Sequence, residues 1–204
     1  SLLRDVILFL RPPLGGGPFH PYAADGPDIH SPPGGEFQIR KEVEGFPMRI
    51  IAMSDSHGDF SRVRQIFEEN PGAACFLHLG DGAKDFEEAG WLFPETARLS
   101  VRGNCDFGRD EPQTGFVELG GKKIFYTHGH LFHAKYGLDE LERAGRERGA
   151  DIVHYGHTHR ADAQYREGLW LINPGSVRDS QYTPAGYLAL DITPQGVVPI
   201  LKKF

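Results

Sequence analysis

Long apolar runs are missing from this 204-residue chain. The longest, Val6–Leu10, falls far short of a bilayer span, and it is not followed by the small-residue pattern at which a secretory leader is cleaved. A soluble, non-exported protein is therefore expected. Cysteine is scarce as well. Cys75 and Cys105 are the only two, too few for a disulfide framework, and a reducing cytoplasm is the expected compartment. A basic excess is also absent: 22 Lys and Arg stand against 28 Asp and Glu, a formal net charge of −6. That argues against a protein built to hold a long nucleic acid, which requires a positive face. It leaves phosphate substrates open, because bound metal ions supply positive charge locally. The rest is ordinary for a globular chain, 39% hydrophobic and 25% charged, and the length suits one domain with at most an appendage.

Proline and glycine are present but unevenly spread. Residues 1–47 hold eight of the 15 prolines and seven of the 26 glycines. Segments such as Arg11–Pro18 and Ser31–Gly35 can continue neither a helix nor a sheet ladder. Met48 then opens the strand-like run Met48–Met53. The division read from this is a loosely ordered extension over 1–47, or translated upstream sequence, and a folded domain over 48–204.

From Met48 onward, apolar runs of strand length alternate with amphipathic stretches, an α/β pattern. Strands are expected at Ile50–Ser54, Ala74–Leu79, Arg98–Val101, Phe116–Leu119, Lys123–Thr127, Ile152–Tyr155, Leu169–Ile172, Gly186–Ile192 and Val197–Lys202. Helices are expected at Phe60–Glu69, around Lys84–Trp91 and at Leu138–Arg148, the last stopped by Gly149. Gly120-Gly121 reads as a hairpin turn. Trp91, Trp170 and the phenylalanines at helical spacing read as core.

The chemistry-bearing residues all fall just after strands. Asp55-Ser-His57, Gly80-Asp81, Gly103-Asn-Cys-Asp106, His128-Gly-His130 and Gly156-His-Thr-His159 follow five of the first six strand candidates. Ligands in α/β folds bind beyond the carboxyl ends of strands, so these turns are candidates for one shared site. Each turn alone has an ordinary explanation, as a tight corner or a left-handed turn residue. The ordered set does not. Aspartates, an asparagine and at least four histidines, without a thiolate cluster, suit Mn, Fe, Zn, Ni or Co rather than calcium or a structural zinc. The donors outnumber what one ion needs, and two ions sharing a carboxylate account for them better.

At these residues the sequence resembles the calcineurin-like metallophosphoesterases, whose pattern is Asp-x-His, Gly-Asp, Gly-Asn-(His)-(Asp/Glu), His and Gly-His-x-His. The short length, Gly103-Asn-Cys-Asp106 and Asn173-Pro-Gly-Ser176 resemble the small YfcE-like phosphodiesterases of bacteria and archaea. The likeness covers roughly 48–204. It implies a four-layer αββα sandwich of two mixed sheets flanked by helices, with metals at the strand ends. It implies that Asp55, His57 and His159 hold one divalent ion, that Asn104, His128 and His157 hold a second, and that Asp81 bridges them. The implied reaction is hydrolysis of a small phosphodiester by a hydroxide bridging two metals, manganese being the first choice. Asn104 and Asp81 would be catalytic, and Asn104, His130 and Arg178 would meet the substrate. His130 and Thr158 are expected to support the ligands rather than join them.

One position departs from the pattern. Many members of the superfamily carry histidine where Cys105 stands, and a thiol is a poor general acid in its place. Dependence on good leaving groups is expected. Asp106 then has no imidazole beside it to orient, which leaves it backbone bonding, substrate contact or capping of the turn. His78 and His154, within strands, read as core or supporting groups, and His133 as lining the site mouth. The competing functions are a non-catalytic interaction scaffold, as in a retromer subunit of this fold, and a phosphomonoesterase. The scaffold is separated by its loss of key ligands, whereas all seven positions here hold competent donors. No membrane or long nucleic-acid partner is expected, and a homodimer through apolar edge strands is left open.

Overall fold

The computed structural model describes residues 47–181 and 183–204. Residues 1–46 lie outside that range, so the extension read over 1–47 is not addressed by it. Strand β1 (Met48–Met53) is followed by α1 (Phe60–Glu69), β2 (Cys75–His78), α2 (Ala83–Leu92) and β3 (Arg98–Ser100). Then come the hairpin β4 (Thr114–Leu119) and β5 (Lys122–Thr127), α3 (Asp139–Glu147), β6 (Ile152–His154), β7 (Ala161–Arg166), β8 (Leu169–Pro174), β9 (Gly186–Thr193) and β10 (Gly196–Lys203). Gly120 and Gly121 make the hairpin turn with φ of 56° and 69°, the left-handed pair a two-residue hairpin demands.

The strands form two five-stranded mixed sheets. The first runs β10-β9-β1-β2-β3 and the second β4-β5-β6-β8-β7. In the first, β1, β2 and β3 are parallel and β9 is antiparallel to both its neighbours. In the second, β5, β6 and β8 are parallel, with antiparallel edge strands β4 and β7. Both sheets therefore end their central strands on the turns that carry the candidate ligands, where α/β topology places a crevice site.

Period-two alternation builds the layers. Ile50 and Ala52 of β1 face inward, to a core shared with Leu77, Ile124, Ile152, Ile172 and Leu190. Ile51 and Met53, one residue out of phase, face the other way, to Val63, Ile66 and Phe67 of α1 and to Phe86 and Ala89 of α2. On the outer face of the second sheet, Phe125, Val153 and Leu171 pack on Leu141 and Ala144 of α3. Three apolar seams thus separate four layers, the αββα order expected.

Two details differ from the sequence reading. Strand β7 was not foreseen. It is an edge strand paired only with β8, and its residues alternate between exposed and half-buried; such a strand carries no apolar signal. Trp91, expected in the core, is 67% exposed. At 100° per residue it sits about 140° around α2 from the buried Phe86, on the solvent face. Trp170 is partly buried against the inter-sheet core.

Candidate metal centre

The turn after β1 begins where Asp55 N donates to the Gly80 carbonyl and His57 N to the Asp81 carbonyl, at 2.9 and 3.0 Å. These bonds tie the first two turns together beyond the parallel ladder. Gly80 and Gly103 then cross so closely that a Cβ on Gly80 would lie 2.5 Å from Gly103 N. The second sheet's turns join through Gly156 N, which donates to the His128 carbonyl at 3.0 Å. The two halves meet where a Cβ on Gly156 would lie 2.0 Å from Ser54 Oγ. Only glycine allows that approach.

The backbone is strained where the expected ligands stand. Asp55, His57, Asp81, His157 and His159 all have left-handed φ, between 45° and 67°; among the described non-glycine residues only His133 and Glu167 share it. Each such residue costs of order 1–3 kcal/mol, and strain of this kind concentrates at functional sites.

Side-chain atoms converge in two groups. In the first, Asp55 Oδ1 lies 3.1 Å from His159 Nε2 and 3.7 Å from His57 Nε2, and the two imidazole nitrogens are 3.4 Å apart. In the second, His128 Nε2 lies 3.2 Å from both Asn104 Oδ1 and His157 Nδ1, and 3.4 Å from Asp81 Oδ2. Asp81 Oδ2 also faces the first group, 4.0 Å from His57 Nε2.

The proton count in these groups is revealing. His128 Nδ1 lies 2.7 Å from the Leu79 carbonyl, which only accepts, so Nδ1 carries the hydrogen and a neutral ring presents a lone pair at Nε2. Asn104 turns its amide nitrogen to Cys105 Sγ at 3.3 Å and so aims its oxygen at His128. One proton on Nε2 would satisfy one of three acceptors; a cation satisfies all of them. Asp55 Oδ1 is fully buried beside the imidazole nitrogens of His159 and His57, a costly place for a carboxylate unless a cation neutralises it. Mixed carboxylate, amide and imidazole donors fit a divalent transition ion.

Protonation follows the same logic. Burial pushes the Asp55 carboxyl up, but the bond with His159 and the nearby His128 outweigh it, and the group stays below the usual carboxylate range. Asp81 behaves alike, held down by His128 and by Cys105 N, which donates to Oδ1 at 2.6 Å. Burial lowers His128, but Asp81 and Asp55 raise it overall. Burial and then His128 push His157 down to about 4, so its ring is neutral with a lone pair to offer. Burial and Asp81 push the Cys105 thiol up to about 11.

Residues around the donors fix them in place. Asp106 accepts from four backbone N–H groups: Oδ2 from Asp81 and Gly103, both at 2.7 Å, and Oδ1 from Gly82 and Ala83 at 2.9 and 3.0 Å. It thereby caps the start of α2, where the N-cap residue, Gly82, has no side chain. Of the three roles open from sequence, backbone bonding and capping are the two observed. Asn173 donates to the Gly156 carbonyl at 2.9 Å and to Thr158 Oγ1 at 3.1 Å, holding the turn that carries His157 and His159. Ser176 Oγ donates to the Asp55 carbonyl at 2.9 Å. Asp85, unmarked in the sequence beyond its place in a first helical turn, accepts from Ser56 Oγ and Gly58 N at 2.6 and 2.8 Å.

The remaining candidates lie at the margin. The His130 ring centroid is 5.3 Å from that of His128 and 6.1 Å from that of His157, and its Nδ1 is buried without a hydrogen-bond partner. Arg178 donates to the His57 carbonyl at 3.3 Å, which anchors it beside the first group. His133 is exposed on the short 3-10 segment's far end. His78 and His154 are fully buried within their strands.

Carboxylates and imidazoles gathered at the seam of two mixed sheets make a candidate metal site, and the comparisons specify the class of protein that carries it. The model of the calcineurin-like phosphoesterase superfamily domain matches residues 48–195, and the chain belongs to that family. It is 33% identical over 132 residues to the probable metallophosphoesterase YsnB of Bacillus subtilis, covering 64% of this chain and 76% of that one. It is 31% identical over 169 residues to the phosphodiesterase YfcE of Escherichia coli, covering 71% and 88%. A predicted phosphoesterase from Streptococcus pneumoniae has a solved structure that superposes with a TM-score of 0.63 at 26% identity, over 76% of this chain and 98% of that one. Zinc-bound Vps29 from Entamoeba histolytica, with a TM-score of 0.58 at 18% identity over 76% and 99% of the two chains, shares the fold. Among the described residues, no helix is long and apolar enough to cross a membrane.

Proposed function

We propose that this chain is a phosphodiesterase that hydrolyses small diesters with two divalent ions, one held by Asp55, His57 and His159, the other by Asn104, His128 and His157, with Asp81 shared. The observation that carries the reading is the pair of donor groups facing a single oxygen, Asp81 Oδ2, at 3.4 Å from His128 Nε2 and 4.0 Å from His57 Nε2. Bound ions would supply Lewis acidity and a water ionised near neutral pH. The chain's own part is to keep the His157 imidazole neutral, to hold Asp81 ionised, and to present the Asn104 amide, His130 and Arg178 to the phosphoryl oxygens. Manganese is the first choice and Ni, Zn, Fe or Co the alternatives.

The likeness to YfcE over 88% of its length supports a diester rather than a monoester. The likeness to Vps29 raises the scaffold reading, and the full set of seven donors favours catalysis over it. Cytoplasmic residence is supported by two free thiols. Residues 1–47 are read as an extension outside the activity, supported by a first strand among the described residues that starts at Met48. The test is hydrolysis of bis-p-nitrophenyl phosphate by metal-stripped protein, with Mn, Ni, Zn and Mg returned separately and the mononitrophenyl ester run beside it. Metal-dependent cleavage of the diester, weak on the monoester and on alkyl diesters, is expected. A folded protein that binds metal and cleaves neither ester would sink the proposal in favour of a scaffold.

A further inference from the structure

The end of the sandwich opposite the metal turns carries a groove of about 260 Å³. Lys122 opens β5, Asp151 precedes β6 and Trp170 lies at the start of β8, so the groove sits at the N-terminal ends of the second sheet's parallel strands. The six residues of β5 separate it from His128, about 20 Å at the usual rise of a strand. Its wall is a cross-strand aromatic pair, Tyr165 of β7 opposite Trp170 of β8, with ring centroids 5.1 Å apart. Val197 of β10 lines it from the first sheet. Tyr165 is 62% exposed, so the wall is open to an incoming segment.

The chain enters the domain at this same end. Met48, the first residue of β1, pairs with Ile192 of β9, and Val197 pairs with Ile192 from the other side. Two inter-strand spacings put Val197 about 10 Å from Met48. Met48, Trp170 and Val197 all pack against the inter-sheet core. Pro47, before them, is exposed, and 46 residues precede it. Their composition suits the groove. Proline carries an apolar ring on a preset backbone, so little entropy is lost on docking, and proline-rich segments are recognised by aromatic-lined grooves. Of the two Pro-Pro pairs, Pro32-Pro33 ends 15 residues before Met48 and Pro12-Pro13 ends 35 before it. Fifteen residues reach about 50 Å when extended, ample for the groove, and the shorter tether gives the higher local concentration.

We propose that Ser31-Pro-Pro-Gly-Gly35 of this same chain docks in the groove, its two proline rings against Tyr165 and Trp170. The contact covers an aromatic face one strand length from the metal turns, so it ties the segment down without obstructing them.

Full-length protein with Trp91→Phe keeps Trp170 as its one indole, and acrylamide quenching and the emission maximum then read how far Trp170 is covered. Replacing Pro32 and Pro33 together by serine should shift the emission to the red and raise quenching. The same replacement of Pro12 and Pro13 should leave both as in the parent. The two pairs lie outside the described fold, so a cooperative melt is expected in each variant and confirms that the domain is intact. Equal quenching in the parent and both variants would overturn the proposal, as would a change confined to the Pro12 and Pro13 variant. Shielding that falls on dilution, with a dimer in sedimentation, would seat the segment on a second copy and overturn docking within one chain. Metal-dependent hydrolysis of the diester should be the same in both variants. A loss confined to the Pro32 and Pro33 variant would place the segment at the metal centre instead of the groove.

Discussion

The two sheets contribute different chemistry to one site. The first sheet supplies every carboxylate and the amide: Asp55 and His57 after β1, Asp81 after β2, Asn104 after β3. The second supplies only imidazoles: His128 after β5, His157 and His159 after β6. Neither half assembles either donor group. His159 needs Asp55 across the seam at 3.1 Å, and His128 needs Asp81 at 3.4 Å. The inter-sheet core built on Ile50, Leu77, Ile124 and Ile152 therefore does more than stabilise the domain: it sets the spacing of the site. Asp55 and Asp81 of the first half are held charged and His157 of the second is held neutral, a division of labour that suits cation binding at neutral pH.

The shared carboxylate is where that comparison breaks most sharply. Asp81→Asn keeps the shape and removes the charge that faces both donor groups. Diester hydrolysis should fall by about 10²–10³-fold or more, and metal content measured by elemental analysis should fall with it. Retained stoichiometry at both positions would refute the shared role.

Acid should strain both sheets alike through their buried imidazoles. Burial pushes His78 of the first sheet and His154 of the second down to about 4. Between the ordinary histidine value and that point the unfolded chain binds the extra proton, so stability is full above about pH 6.5 and falls as pH drops toward 4. The loss approaches about 3 kcal/mol per residue at 1.36 kcal/mol for each pKa unit. Denaturant titrations from pH 7 to 4 would read it, and a His154→Phe protein with an unchanged slope would contradict the assignment.

Asp106 sharpens the comparison on the first sheet's side alone. Its replacement by alanine strands four backbone donors and should cost about 1–3 kcal/mol or somewhat more in a thermal or denaturant melt. Metal affinity should weaken as Asp81 loosens. A variant as stable as the parent would mean that water replaces the carboxylate.

The smallest effect belongs to the seam. Gly156→Ala drives a Cβ into Ser54 Oγ and should destabilise by about 1–3 kcal/mol, the usual cost of overpacking. Ser54→Ala in the same chain should restore part of it, because the hydroxyl is the nearest obstacle. Additive losses in the double variant would show that the two turns do not press on one another.

Much of this was legible in the sequence. The five ligand turns, the helix at Phe60–Glu69 and the Gly120-Gly121 hairpin follow from apolar periodicity and from glycine before or after a polar residue. What was not legible has a common cause. β7 carries no alternation of apolar residues because it sits at a sheet edge, and Trp91 lies outward because helical phase, not hydrophobicity, decides which face of α2 is buried. The meaning of Asp106 was equally hidden, since its partners are backbone groups as many as 25 positions away.

The sequence by itself determined which donors exist and that each follows a strand, because ligand type and local turn chemistry are short-range properties of the chain. Only the tertiary structure decided that Asp55 meets His159 and that Asp81 faces two groups at once. Those distances depend on how two sheets pack through side chains scattered across some 140 residues between Ile50 and Leu190, and packing of that range is a property of the whole core, not of any segment in it.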